Sequence, residues 1–147
     1  MEKERYFERA REVAASSPYY RLLGLDVTEI KEGESTIQML FKQELTHPYG
    51  FVHGGAIASL ADSAVAMALV SLVEPKDRIA TIEFKINFFA PVSKGELKAH
   101  AKIIHKGSKI AVGDVEVVNE ERKLVAKVIA TYSIKRDDLI QRNHLCY

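Results

Sequence analysis

An α+β architecture, in which a curved antiparallel sheet of six strands wraps one long central helix, follows from three features of the sequence. Residues 56–73 are almost wholly apolar, too long a run for a strand. Two strand-like segments precede this run and four follow it, with apolar residues recurring at every second position. The helical and strand-like segments are segregated rather than alternating, which favours α+β over α/β. The 147 residues suit a single domain, 1–147, with a genuine hydrophobic core. No internal repeat or linker divides them.

Taken in order, Glu2 to Ala15 mixes charges with Tyr6, Phe7, Ala10, Val13 and Ala14 at helical spacing and stops before Ser16-Ser17-Pro18. Pro18 opens a short helical turn carrying Tyr19 and Tyr20, which Gly24 ends. Residues 1–24 are therefore expected as a helical N-terminal cap, its tyrosines packing on the core rather than doing chemistry. Leu25 to Lys31 and Glu34 to Lys42 flank the hairpin turn Glu32-Gly33. After the long helix, Pro75 and its charged neighbours mark an end at the surface. Ile82, Phe84, Ile86 and Phe88 then alternate with Thr81, Glu83, Lys85 and Asn87, which reads as a half-buried strand. Three more strands are expected in hairpin succession: one around Leu97 to Ile104, one around Ile110 to Val117, and one from Leu124 to Ile134. A slip of the apolar phase at Gly113 suggests a β-bulge there. Apolar residues on both phases of the last strand place it inside the sheet.

Composition excludes several functions. A net charge of +1, with no Lys/Arg block, argues against nucleic-acid binding. The single Cys146 provides neither a disulfide framework nor a cysteine zinc site. The charged start Met1 to Arg5 does not read as a secretory signal, so a cytoplasmic location is the default expectation. The apolar run approaches the length of a membrane span, but Ser59, Asp62, Ser63 and Ser71 interrupt it, and a buried core helix is the better reading.

The chemistry concentrates between His47 and Val73. His53-Gly54-Gly55 opens the helix, where backbone N–H groups lack partners and the macrodipole is positive. Glycine lets a substrate oxygen approach such groups, so this end would suit an oxyanion; the same glycines equally permit a tight loop. Asp62 is the only charged residue between Ala56 and Val73. It shares a helix face with Ser59, Ser63 and Ala66, a narrow polar stripe that would suit a cleft. A carboxylate there can serve as general base or nucleophile, or simply accept structural hydrogen bonds. Serine-hydrolase chemistry fails for want of G-x-S-x-G, and phosphate binding for want of a Walker loop. Metal binding would need His47, His53 and Asp62 to converge without a second carboxylate, and no metal is expected.

The stretch Gly50-Phe51-Val52-His53-Gly54-Gly55-Ala56-Ile57-Ala58-Ser59-Leu60-Ala61-Asp62 resembles the active-site segment of hotdog-fold acyl-CoA thioesterases of the phenylacetate-degradation, PaaI-like type. The resemblance runs from about Tyr20 to Ile134, with Phe88-Phe89-Ala90-Pro91 and Gly107-Ser108-Lys109 as further landmarks. It implies a hotdog fold and hydrolysis of an acyl-CoA, aryl-acyl or medium-chain, to free acid and CoA. In that likeness Asp62 is general base or nucleophile, and the Gly54 N–H polarises the thioester carbonyl. Thr81 positions Asp62 or water, facing Asp62 of a partner chain. His47 stands where many members have Asn. His53, Gly55, Ser59, Ser63, Phe51 and Phe88 are the implied substrate contacts, with His53 structural or contributing only backbone. His105, Lys106, Ser108 and Lys109 are candidates for the CoA phosphates. The likeness implies no cofactor beyond the CoA of the substrate, no membrane, and a homo-oligomer with a dimer as the minimal active unit, assembled into a tetramer. Two other classes stay open on this scaffold: acyl-CoA or lipid-like ligand binding without turnover, and hydratase chemistry, which uses a different His/Asp or His/Glu arrangement.

Overall fold

A computed structural model describes residues 1–136. Cys146 lies outside them. Helix α1 (Glu2–Ser16) and helix α2 (Pro18–Leu23) lead into strands β1 (Leu25–Lys31) and β2 (Glu34–Leu40). Helix α3 (Gly54–Val70) follows a loop containing a 3-10 turn at Gln43–Leu45. Strands β3 (Arg78–Phe88), β4 (Glu96–Lys106), β5 (Ile110–Asn119) and β6 (Leu124–Lys135) complete the chain. Every strand boundary lies near its sequence expectation because turn chemistry sets it. Gly24, for example, ends α2 in the left-handed region at φ 71°, where a side chain would be strained.

The six strands form one antiparallel sheet in the order β1-β2-β4-β5-β6-β3. This places β6 inside the sheet, as its two apolar phases suggested. Hairpin succession fails at one point, however: β3 pairs with β6 rather than β4. The connection after β3 instead crosses the end of the sheet. There the Val52 N–H donates to Val92 O at 2.8 Å and the Phe41 N–H donates to Gly95 O at 2.8 Å. Val92 is buried, so this crossing is tied into the core.

Helix α3 packs across β2, β4 and β5 with one face only. Ala56, Ile57, Leu60, Ala61, Ala64, Val65, Ala68 and Leu69 are buried, whereas Ala58, Ser59, Asp62, Ser63, Ala66 and Met67 are half-exposed. This is the period of a helix with one wet stripe. The Ser35 hydroxyl, itself buried, donates to Ala64 O at 2.6 Å and fixes the helix on β2. Gly113 explains how closely the helix approaches β5. A Cβ there would stand 2.6 Å from Val65 Cγ1. The bulge expected at Gly113 lies instead on β4, where the pairing skips Ile104 between Ile103↔Gly113 and His105↔Val112. Core-facing residues of β5 run Ala111, Gly113, Val115, Val117 without interruption, so a missing side chain had imitated a phase slip.

The two sheet edges differ. Helix α1 lies on β1, and the Arg11 guanidinium donates to Val27 O at 2.9 Å, occupying an edge carbonyl. Strand β3 is bare. The half-buried strand expected there is mostly exposed, with Ile82 at 54% and Phe88 at 49%, followed by Phe89 at 59%. An exposed apolar edge strand is a template for pairing with another chain.

Candidate active site

At the start of α3, His53 is the N-cap, a position more often held by Ser, Thr, Asp or Asn. Its Nδ1 accepts the Gly55 N–H at 2.7 Å, which assigns the ring proton to Nε2. His53 O accepts the N–H groups of Ala56 at 2.9 Å and Ile57 at 3.3 Å. Among the described residues the Gly54 N–H has no acceptor, so it alone of the first helical donors stays open to a substrate. Gly55 can offer a substrate only its missing side chain. The Phe88 ring closes over Gly54: a Cβ on Gly54 would meet Phe88 Cζ at 3.0 Å.

His47 holds its own loop together. The His47 N–H donates to Phe51 O at 2.9 Å, and its Nδ1 accepts the Tyr49 N–H at 3.1 Å. The ring packs edge-on against Tyr49 and Phe51, with centroids 5.7 Å and 5.9 Å away. Phe51 thus belongs with His47 rather than with the polar stripe of α3.

Asp62 is the most heavily bonded group of that stripe. The Thr81 hydroxyl donates to its Oδ1 at 2.9 Å. The Tyr132 hydroxyl shares its single proton between the same Oδ1 at 2.5 Å and Asp62 O at 2.8 Å. Oδ2 has no protein donor among the described residues. The Thr81 contact corrects the expectation that this hydroxyl faces a partner's Asp62, since both groups belong to one chain. A bulge makes this possible. Thr81 and Phe88 are an odd number of positions apart and would lie on opposite faces of a regular strand. The β3–β6 register shifts between Thr81 and Glu83, and this lets Thr81 meet α3 at Asp62 while Phe88 meets it at Gly54.

The tyrosines of α2 reach the same stripe. Tyr19 Oη shares a hydrogen bond of 2.6 Å with Ser59 Oγ. Tyr20 lies beside Ser63, and burial raises its phenol above the ordinary range. Burial pushes the Tyr132 phenol up further, the hydrogen bond to Asp62 adding to the effect. Both phenols therefore stay protonated donors at neutral pH. Tyr132 carried no motif and escaped the sequence reading. Its one signal was a phenol on the core-facing phase of β6, beside Ala130 and Ile134, where a buried hydroxyl requires a partner.

The cationic candidates are not brought to this place. Lys106 and Ser108 line a cavity with Leu72, Val73, Asp77 and Arg136, just beyond the C-terminal end of α3. Ser108 and Lys109 line its neighbour with Ser133 and Lys135, and His105 is exposed on β4. A helix of 17 residues spans about 25 Å, which is the scale of separation from Gly54 of the same chain. No helix among the described residues is long and apolar enough to cross a membrane.

The sequence matches the family model for the thioesterase superfamily over residues 49–126. A putative esterase of Archaeoglobus fulgidus is 34% identical over 138 residues, covering 92% of this chain and 88% of that protein. The acyl-coenzyme A thioesterase PaaI of Escherichia coli is 32% identical over 109 residues, 72% of this chain and 74% of PaaI. The structure of E. coli PaaI superposes with a TM-score of 0.81 at 26% identity, covering 89% of this chain and 94% of that one. The chain belongs to the thioesterase superfamily, with the hotdog fold and thioester hydrolysis that go with it.

Proposed function

We propose that the protein hydrolyses the CoA thioester of an apolar acid, aryl or medium-chain, to free acid and CoA, with Asp62 as the catalytic carboxylate. The observation that carries this reading is the asymmetry of Asp62: two hydroxyls hold Oδ1, and Oδ2 is left for water or for the thioester carbonyl. Oriented in this way, the carboxylate can take a proton from water or attack directly. The Gly54 N–H is the preorganised donor for the carbonyl oxygen as it gains charge.

Gly54 and Asp62 of one chain cannot serve the same carbonyl. Eight residues of helix separate them by about 12 Å along the axis. A carbonyl held at hydrogen-bond distance from Gly54 must have the reacting oxygen about 3 Å from its carbon. The site therefore needs Gly54 from a second copy, with its α3 running past Asp62 in the opposite sense, and the bare edge of β3 supplies the means of pairing. A dimer is the minimal active unit in this reading. The aromatic residues Phe88 and Phe51 then flank the helix start that meets the acyl group, and His47, Ser59 and Ser63 border the approach.

The test is thiol release from short, medium, long and aromatic CoA thioesters by the wild type and Asp62→Asn. The wild type is expected to turn over at least one class, with a loss of about 10³-fold or more in the variant. CoA-ester binding without thiol release, or normal turnover by Asp62→Asn, overturns the reading.

A further inference from the structure

Tyr132 is 3% exposed and is the shorter of the two hydroxyl contacts to Asp62. We infer that Tyr132 is a positioning residue for hydrolysis: by donating to Oδ1 from the floor of the sheet, it holds the orientation of the Asp62 carboxylate and turns Oδ2 outward. The inference rests on the reading that Asp62 is the catalytic carboxylate.

The geometry separates this role from ordinary packing. A phenol buried on β6 needed only one acceptor, and Asp62 O at 2.8 Å would have sufficed. The hydroxyl instead lies between that carbonyl and Oδ1, so one group reads both the backbone and the side chain of a single residue. Thr81 donates to the same oxygen from β3. Two donors on one oxygen fix the carboxylate plane and direct the unbonded lone pairs of Oδ2 away from both strands. Among the described residues, the titratable groups facing Asp62 are Tyr132 from β6 and Tyr20 from α2. Strand β3 presents uncharged Thr81, and α3 itself presents Ser59 and Ser63. Burial holds both phenols above their ordinary range, so each stays a neutral hydroxyl donor.

The experiment measures kcat and KM against pH, with octanoyl-CoA and benzoyl-CoA as probes, for the wild type, Asp62→Asn, Tyr132→Phe and a protein carrying 3-fluorotyrosine in place of Tyr132. Tyr132→Phe keeps the ring and removes the donor. It is expected to lower kcat about tenfold with KM nearly unchanged, and to move the acid limb of the kcat profile up by about one pH unit. Fluorotyrosine, a more acidic phenol and a stronger donor, is expected to move the same limb down, and it decides the matter alone if the Phe variant does not fold. A fall in thermal stability with an unmoved acid limb and wild-type kcat overturns the inference and leaves Tyr132 a staple between β6 and α3. An inactive Asp62→Asn together with inert Tyr132 substitutions sinks this inference alone. An active Asp62→Asn sinks the assignment of the carboxylate, and this inference with it.

Discussion

Around Asp62 the chemistry is a matter of single hydroxyls. Two phenols near the carboxylate, Tyr132 and Tyr20, ionise less readily in the fold than free in water, chiefly because they are buried. The unfolded chain releases these protons near pH 10.0, whereas the folded chain retains them. Their contribution to stability is therefore complete below pH 10 and is lost as pH rises towards the folded values. Urea unfolding followed above pH 10 is expected to lose about 1.4 kcal/mol per pH unit for each such tyrosine, and Tyr132→Phe to remove one share of that slope. An unchanged slope in the variant would place the burial elsewhere. Asp62 and Gly54 were legible in the sequence because each breaks a local pattern, a charge in an apolar helix and a glycine at its first turn. Tyr132 was not, because it sits in a regular alternation and its partner is 70 positions away. Thr81 was found by likeness but set against the wrong chain, since only the backbone register reveals the bulge that turns it inward.

Helix α3 is the element that gives these residues their places, and its distance from the sheet is set by small residues beneath it. At Gly113 there is no room for even a Cβ, which would stand 2.6 Å from Val65 Cγ1. Gly113→Ala would press a methyl group against Val65 and is expected to cost about 1–3 kcal/mol in urea unfolding. Combining it with Val65→Ala should cost less than the two single losses together, because the second change vacates the space the first needs. Additive losses would show that the helix is free to move away. The wet stripe of α3 could be read from its sequence, since Ser59, Asp62 and Ser63 mark a face. The position of β3 could not. Its alternation of apolar and polar residues suits an interior pairing or an edge equally, and only pairing with β6 distinguishes them. Cations on the β4–β5 turn were equally ambiguous, because a hairpin tip has no fixed distance from the start of α3 until the sheet is built.

For the whole molecule, one spacing has the widest consequence: the parts of the proposed site that one chain carries stand too far apart to act together. Asp62, Thr81 and Tyr132 converge in one place, and the open Gly54 N–H lies about 12 Å along the same helix. Pairing two copies through β3 would bring each carboxylate to the other chain's helix start. Gly54→Pro tests this, with the half-exposed Phe88 ring moving a few tenths of an ångström to admit the new Cβ. Gly54 is the first helical residue, where proline is well tolerated, and His53 before it already has the extended backbone that proline requires. The substitution removes the one open N–H and is expected to be inactive, as is Asp62→Asn. The decisive measurement is thiol release by a mixed dimer of Gly54→Pro and Asp62→Asn, isolated through two different tags. Sites shared between chains leave one of two intact, so about half the wild-type activity should return from two inactive parents. A mixed dimer as inactive as its parents would contradict shared sites and confine the chemistry to a single chain.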